Sequence, residues 1–304
     1  MRTIKIMLSM DVEVPRTEAG ASGPENWDAS HRYIRGYNQM AHDAGFPVTY
    51  FIHPEAAKAH RDLFEELHKT QGASIEGLHV HPWKFMDGRF KYHFGGMDAK
   101  LQRDVLLLAM NMWEEAFGRL PRYFRPGTFS ANDATFAILC DLGFLGGSLS
   151  APERFFPDLQ AIWTGAPRDP HRPNAAFRNI KGTLPFANVP HSHDYTTLLE
   201  TTGRRAYADL RPCRDDGDMK TLVRNIMTQT LERNPKLPLI TMDTHNDNDY
   251  TDAANIVCKR YQSLLDSLHE VAGELNVKLE GMTIEQATQE VMSWPAEDKP
   301  FVYA

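Results

Sequence analysis

The chain reads as an α/β protein of barrel type. Three observations carry that expectation. Apolar β-rich runs alternate with segments of helical periodicity, the chemically capable side chains stand at the carboxyl ends of the predicted strands, and 304 residues exceed the roughly 250 that one such barrel needs. Alternating strands and helices imply parallel pairing through right-handed crossovers. Residues 1–304 are therefore expected to form a single domain, with a long irregular insertion at 151–217.

The first strand is predicted over residues 4–10, an apolar run that ends in Asp11-Val12-Glu13. A polar loop rich in Gly, Pro and Glu follows over 14–29, long enough to serve as a substrate loop. Ser30 is the expected cap of a helix running to Asp43, in which Tyr33, Tyr37 and Met40 recur at helical spacing and which Gly45 ends. A β-rich run covers 48–52, and residues 55–70 are amphipathic. The next strand carries His79 and His81 and leads into a Gly- and aromatic-rich excursion over 84–97. Asp98 caps a helix over 98–117 that keeps Leu101, Val105, Leu108 and Met112 on one face.

A short strand at Tyr123-Phe124 ends in Arg125-Pro126-Gly127, and Asn132 or Asp133 starts a helix that closes at Gly143. Beyond the Pro- and Arg-rich stretch 151–217, with a few short strands, regular order returns. It comprises a helix over 218–233, a strand over 237–242, a helix over 252–273, a strand over 277–279 and a final helix from Thr283.

Residues i and i+2 of a strand share a face, so His79 and His81 point the same way, as do Asp11 and Glu13. Neutral imidazole is the commonest protein ligand for zinc and related ions. Two imidazoles at strand spacing plus one carboxylate make an open, three-ligand site. Arg125 and the cluster Asp243-Thr244-His245 also fall at strand ends, where α/β sheets and barrels carry function. The loop Asn246 to Asp249 lacks the acidic spacing of an EF-hand.

The formal net charge of −7, without a run of Lys or Arg, argues against nucleic acid and anionic membrane as partners. Cys140, Cys213 and Cys258 are scattered and odd in number, which fits neither a disulfide framework nor a cysteine zinc site and suits a reducing compartment. No stretch of about 18 apolar residues and no leader is read at the start, so a soluble, cytoplasmic protein is expected.

In order and content, Ser9-Met10-Asp11-Val12-Glu13, Ile75-Glu76-Gly77-Leu78-His79-Val80-His81-Pro82-Trp83 and Phe124-Arg125-Pro126-Gly127 resemble the first three motifs of the polysaccharide deacetylase superfamily. The run from Ala134 to Phe144, and Leu279 to Ala287 with its Thr283 cap, are similar to that family as well. The resemblance implies a distorted (β/α)7-type barrel and a hydrolase acting on carbon–nitrogen bonds. Carried over residue by residue, it makes Asp11 the general base and gives Glu13, His79 and His81 a divalent metal ion, with zinc the expected one. Arg125 would hold Asp11 ionised, and His245 would be the general acid. His191 and His193 are the runners-up for that last role, their plainer reading being a polar loop.

The implied reaction is removal of an acetyl group from an N-acetylated sugar or glycan precursor, so the partner is a small-molecule or oligosaccharide substrate. Opening of a cyclic imide or ureide, as by allantoinases, and a catalytically silent carbohydrate-binding role are the alternatives. Assembly into a homo-oligomer stays open. Trp27, Trp83, Phe85, Tyr92 and Trp163 lie in segments expected to flank the site. Two departures from the commoner motifs matter. Trp83 stands four residues after His79, where a second histidine is usual, and Val12 separates the two acids, so spacing leaves open which of Asp11 and Glu13 touches the ion.

Overall fold

A computed structural model describes residues 1–17 and 22–296; residues 18–21 of the predicted substrate loop lie outside the described residues. In chain order the first elements are β1 (Arg2–Val12), α1 (Trp27–Asp43), β2 (Val48–Ile52), α2 (Pro54–Gln71), β3 (Ser74–Val80) and α3 (Ala99–Phe117). Next come β4 (Tyr123–Pro126), α4 (Thr135–Asp141), β5 (Gly146–Gly147), β6 (Phe155–Phe156), β7 (Ala161–Ile162) and β8 (Ala187–Asn188). The chain continues with β9 (His193–Thr201), β10 (Arg204–Asp209), α5 (Met219–Arg233), β11 (Leu239–His245), α6 (Ile256–Glu274), β12 (Val277–Gly281) and α7 (Ile284–Ser293).

Eight strands form one curled, all-parallel sheet in the order β11-β1-β2-β3-β4-β5-β8, with β12 paired to the first half of β1. This is the expected distorted barrel. Its seam, between β8 and β11, is closed by side chains. Ser192 N–H donates to Thr241 Oγ1 (3.0 Å), Thr241 N–H donates to Ser192 Oγ (3.0 Å), and Thr241 Oγ1 donates to the Pro190 carbonyl (3.0 Å). Pro190 has no N–H to offer, so a backbone ladder could not run through it.

Side-chain alternation decides what fills the barrel. In β1, Ile4, Ile6, Leu8, Met10 and Val12 pack outward in the cluster under the helices, whereas Met7, Ser9 and Asp11 have the opposite parity. Met7 joins Phe51, Tyr123, Ala187 and Leu239 in a second, inner apolar cluster that Ile284, Ala287 and Val291 of α7 complete. The amino-terminal half of the interior is thus apolar and the carboxyl-terminal half polar. A one-residue slip of β1 would turn all five outward apolar side chains inward, Met10 and Val12 into the polar half, so the hydrophobic pattern pins the register that positions Asp11.

The structure departs from expectation in several places, among them the start of α6, which is Ile256 and not residue 252. Asn26, not Ser30, caps α1, its Oδ1 accepting from Ala29 N–H at 2.8 Å; Asx side chains cap best from an extended backbone, which Asn26 has and Ser30, inside the helix, lacks. The strand predicted over 237–242 is shifted forward to Leu239–His245, because pairing with β1 extends to Asp11↔His245. The N-cap of α4, which begins at Thr135, is Ala134 and not Asn132 or Asp133; Asn132 sits just before it, its Oδ1 accepting from Ala134 N–H at 3.1 Å while its Nδ2 donates to the Gly95 and Met97 carbonyls. The stretch 151–217 is less irregular than expected. It supplies β8 to the barrel and builds a four-stranded antiparallel sheet, β7-β6-β10-β9, in which the two-residue strands β6 and β7 are too short to show periodicity and β6 meets β10 only across fifty positions, Phe155 opposite Arg205.

Candidate active site

The carboxyl ends of β1, β3, β4 and β11 converge on one polar interior. Asp11, His79, His81 and Arg125 are buried, and Glu13, just past β1, is fully so. Among the described residues, Glu13, His79 and His81 form a group whose potential ligand atoms lie within 4.8 Å of one another. Glu13 Oε1 is 2.8 Å from His81 Nε2 and 3.4 Å from His79 Nε2. Its other oxygen, Oε2, accepts from Lys84 Nζ at 2.8 Å, and the same ammonium donates to the Ser22 carbonyl and hydroxyl. Asn246 grips the Glu13 backbone from both sides, Oδ1 accepting from Glu13 N–H (2.7 Å) and Nδ2 donating to its carbonyl (3.1 Å).

His79 Nδ1 lies 2.9 Å from the Arg125 carbonyl, which can only accept, so Nδ1 carries the proton and Nε2 turns a lone pair toward Glu13. Burial lowers the His81 pKa to about 4 against the opposing pull of Glu13, so the ring is neutral near pH 7 and also has a lone pair to give. Glu13 goes the other way. Burial favours its neutral form, yet the adjacent His81 ring and the Lys84 ammonium hold its carboxyl well below the usual range. With His81 neutral at pH 7, the Lys84 ammonium supplies the positive charge there.

This donor set fits a divalent cation. Two neutral imidazoles and one carboxylate are zinc-type donors, and Glu13 Oε1 and His79 Nε2 are buried without a hydrogen-bond partner. Gly127 makes the room: a Cβ there would stand 2.2 Å from His81 Nδ1.

Asp11 sits beside the triad. Arg125 Nη1 donates to Asp11 Oδ1 at 2.7 Å and to Ser9 Oγ at 3.0 Å, while Ser9 Oγ donates onward to the Met242 carbonyl at 2.6 Å. The guanidinium lies over the Phe51 ring, 4.1 Å from its centroid, and 5.5 Å from that of Phe129. Thr128 and Phe129 both hold positive φ, 58° and 56°, costly for non-glycine residues and a mark of a loop shaped for its site. Asp11 Oδ2 is 3.9 Å from His79 Nδ1.

His245 is the last residue of β11 and stands opposite Asp11 in the ladder. Burial opposes its charge, but Cys213, Asp247 and Asp11 together raise its pKa to about 10, so it is protonated near neutrality. All six predicted site residues therefore belong to the same end of the sheet.

The runners-up are not solvated: His191, in the connection between β8 and β9, and His193, the first residue of β9, are buried, and His191 lies against Asp209 and Asp243. Of the aromatics, Trp83 is partly exposed and packs edge-on against His81 at 5.4 Å, and Tyr92 is exposed. Phe85 and Trp163 are core residues, and Trp27 packs on His60. Sequence reasoning missed Lys84, Asn246, Asp209 and Arg211, which reach the polar interior from loops and from β10. Lys84, one residue past Trp83, was the most findable, as a cation close to the histidine motif.

No protein-family model matches the chain, and no curated protein sequence matches it. Solved structures do match. One, described as a polysaccharide deacetylase from Mycobacterium smegmatis, aligns with TM-score 0.56 and 16% identity over 90% of this chain and 83% of its own. Another, described as a glycoside hydrolase/deacetylase from Parabacteroides distasonis, gives 0.63 and 10% over 95% and 71%. A Puue allantoinase gives 0.57 and 14% over 94% and 89%. The curled parallel barrel of this chain is thus the fold of the polysaccharide deacetylases.

Proposed function

We propose that this protein is a metal-dependent amide hydrolase that removes an acetyl group from an N-acetylated sugar or glycan precursor. The observation that carries this reading is the juxtaposition of the Glu13–His79–His81 group with the Asp11–Arg125 pair, a candidate cation site beside a carboxylate held by a guanidinium. Held by Glu13, His79 and His81, a divalent ion such as zinc would supply Lewis acidity, polarising the acyl oxygen and easing deprotonation of water.

The chain's own groups do the rest. Asp11 has one oxygen committed to Arg125, leaving Oδ2 to take the proton of the attacking water. Arg125 cannot rotate away, being fixed by Asp11, Ser9 and the Phe51 face. His245 carries a proton near pH 7 and delivers it to the departing nitrogen as the C–N bond breaks, so acetate and an amine leave. Lys84 and Asn246 aim Glu13, and outer partners of this kind orient ligands. The half-exposed face of Trp83 next to His81 offers a platform for a sugar ring.

Elemental analysis paired with acetate release from a panel of N-acetylated saccharides tests the reading. In His79→Ala, ion at this site and activity are expected to disappear together. Activity that persists without an ion favours opening of a cyclic imide or ureide, a reading supported by the likeness to an allantoinase fold. Saccharide binding without turnover favours the silent binding role. Gly127→Ala pushes a methyl group onto His81 and is expected to weaken zinc affinity by about 10–100-fold, as loss of ligand positioning does, measured by competition with a chromophoric chelator.

A further inference from the structure

We propose a second divalent-cation site, formed by His191, His193 and Asp209 with Asp243 as fourth donor, which staples the β9–β10 hairpin to barrel strand β11. His191 follows β8, His193 opens β9, Asp209 ends β10 as the register partner of His193, and Asp243 lies in β11. All four are buried, none more than 2% exposed. The nearest ligand atoms of His191, His193 and Asp209 lie within 4.8 Å of one another.

The spacing is that of a coordination shell. His191 Nε2 stands 3.4 Å from Asp209 Oδ2 and 3.3 Å from Asp243 Oδ1. Those separations exceed the ~2.7–2.9 Å of a charge-assisted hydrogen bond. They match the tetrahedral edge of about 3.3–3.4 Å that follows from zinc bonds of ~2.0–2.1 Å. His193 Nδ1 donates to the His191 carbonyl at 3.1 Å, so the Nε2 of His193 is the unprotonated nitrogen. That atom, both ring nitrogens of His191, Asp209 Oδ2 and Asp243 Oδ1 are buried without a hydrogen-bond partner. The two carboxylate oxygens have Arg211 near them, but leaving the three imidazole nitrogens dry and unpaired costs several kcal/mol unless something bonds to them.

Arg211 is the competing occupant. Its Nη2 is 3.1 Å from Asp209 Oδ2 and its Nε 2.9 Å from Asp243 Oδ1, with Arg214 Nη1 3.6 Å from Asp209 Oδ2. The guanidinium groups balance the two carboxylates but make no hydrogen bond to either imidazole. Two imidazoles and one or two carboxylates form a borderline donor set, which selects zinc or a neighbouring transition ion over calcium or magnesium.

Ion counting tests this without reference to turnover. The full chain, saturated with zinc and exchanged into metal-free buffer, is expected to retain two ions; His79→Ala and His193→Gln each retain one, and the double variant none. One ion that survives His79→Ala but not His193→Gln would uphold this site and sink the metal centre of the proposed reaction. A count unchanged by His193→Gln in a natively folded chain, or a single ion abolished by His79→Ala, overturns it in favour of the arginine-balanced cluster. Zinc-edge anomalous maps of the unsubstituted chain decide the matter even if the variant misfolds: a peak among the four donors is expected, and its absence refutes the site.

Discussion

Asp11→Asn is expected to lower kcat for acetate release by about 10²–10⁴-fold, the range a positioned general base contributes. The amide keeps the shape of the carboxylate and can still accept from Arg125, but it cannot take a proton from water. Zinc bound at the Glu13–His79–His81 group is expected to be retained, because none of those donors is touched. That combination, activity lost and ion kept, separates the two acids that motif spacing alone left interchangeable. Loss of the ion from Asp11→Asn, with turnover of the remaining loaded fraction unchanged, would make Asp11 the ligand and reverse the assignment. Rate measurements and elemental analysis on one preparation suffice.

Arg125→Met is expected to cost about 3–5 kcal/mol of folding stability, the penalty for stripping one partner from a buried ion pair. Arg125 is wholly buried and Asp11 is 4% exposed, so solvent cannot take over the lost interaction. In a chain of this size the loss corresponds to a fall in Tm of about 5–8 °C. The double variant Asp11→Asn with Arg125→Met is expected to recover much of it, since no uncompensated buried charge remains and Met still covers Phe51. Thermal or urea denaturation of the four chains completes the cycle. Additive losses would mean that the 2.7 Å contact contributes little and that Arg125 acts mainly through its packing on Phe51 and Phe129.

How far each feature could be read in advance depended on the range of the interaction behind it. Asp98 was recognisable as a cap because it bonds Leu101 N–H three residues on, and Thr283 because its capping box closes within the same turn. Ser30 misled for a related reason. It is a good capping residue in composition, but its hydroxyl is engaged by His60 and by Asn246, 216 positions away, and Asn26 had already satisfied the helix end. The long stretch 151–217 looked irregular because β6, β7 and β8 are two residues each and are held by partners distant in sequence, Phe155 by Arg205 and Ala187 by Gly146, although the β9–β10 hairpin within it is local.

Period-two alternation was enough to place Asp11 with Glu13 and His79 with His81 on common faces, because a strand's handedness and pleat are properties of a few consecutive residues. Which of those faces meet is a different kind of fact. Parallel pairing of β1 with β2 and β11, and of β3 with β4, brings Arg125 to Asp11 across 114 positions and Asn246 to Glu13 across 233. The same long-range closure buries His191 and His193 against Asp209 and Asp243 instead of leaving them in solvent. Local chemistry chose the donors. The burial that turns them into a centre came from the barrel, since only packing at a distance removes water and makes unpaired polar atoms costly.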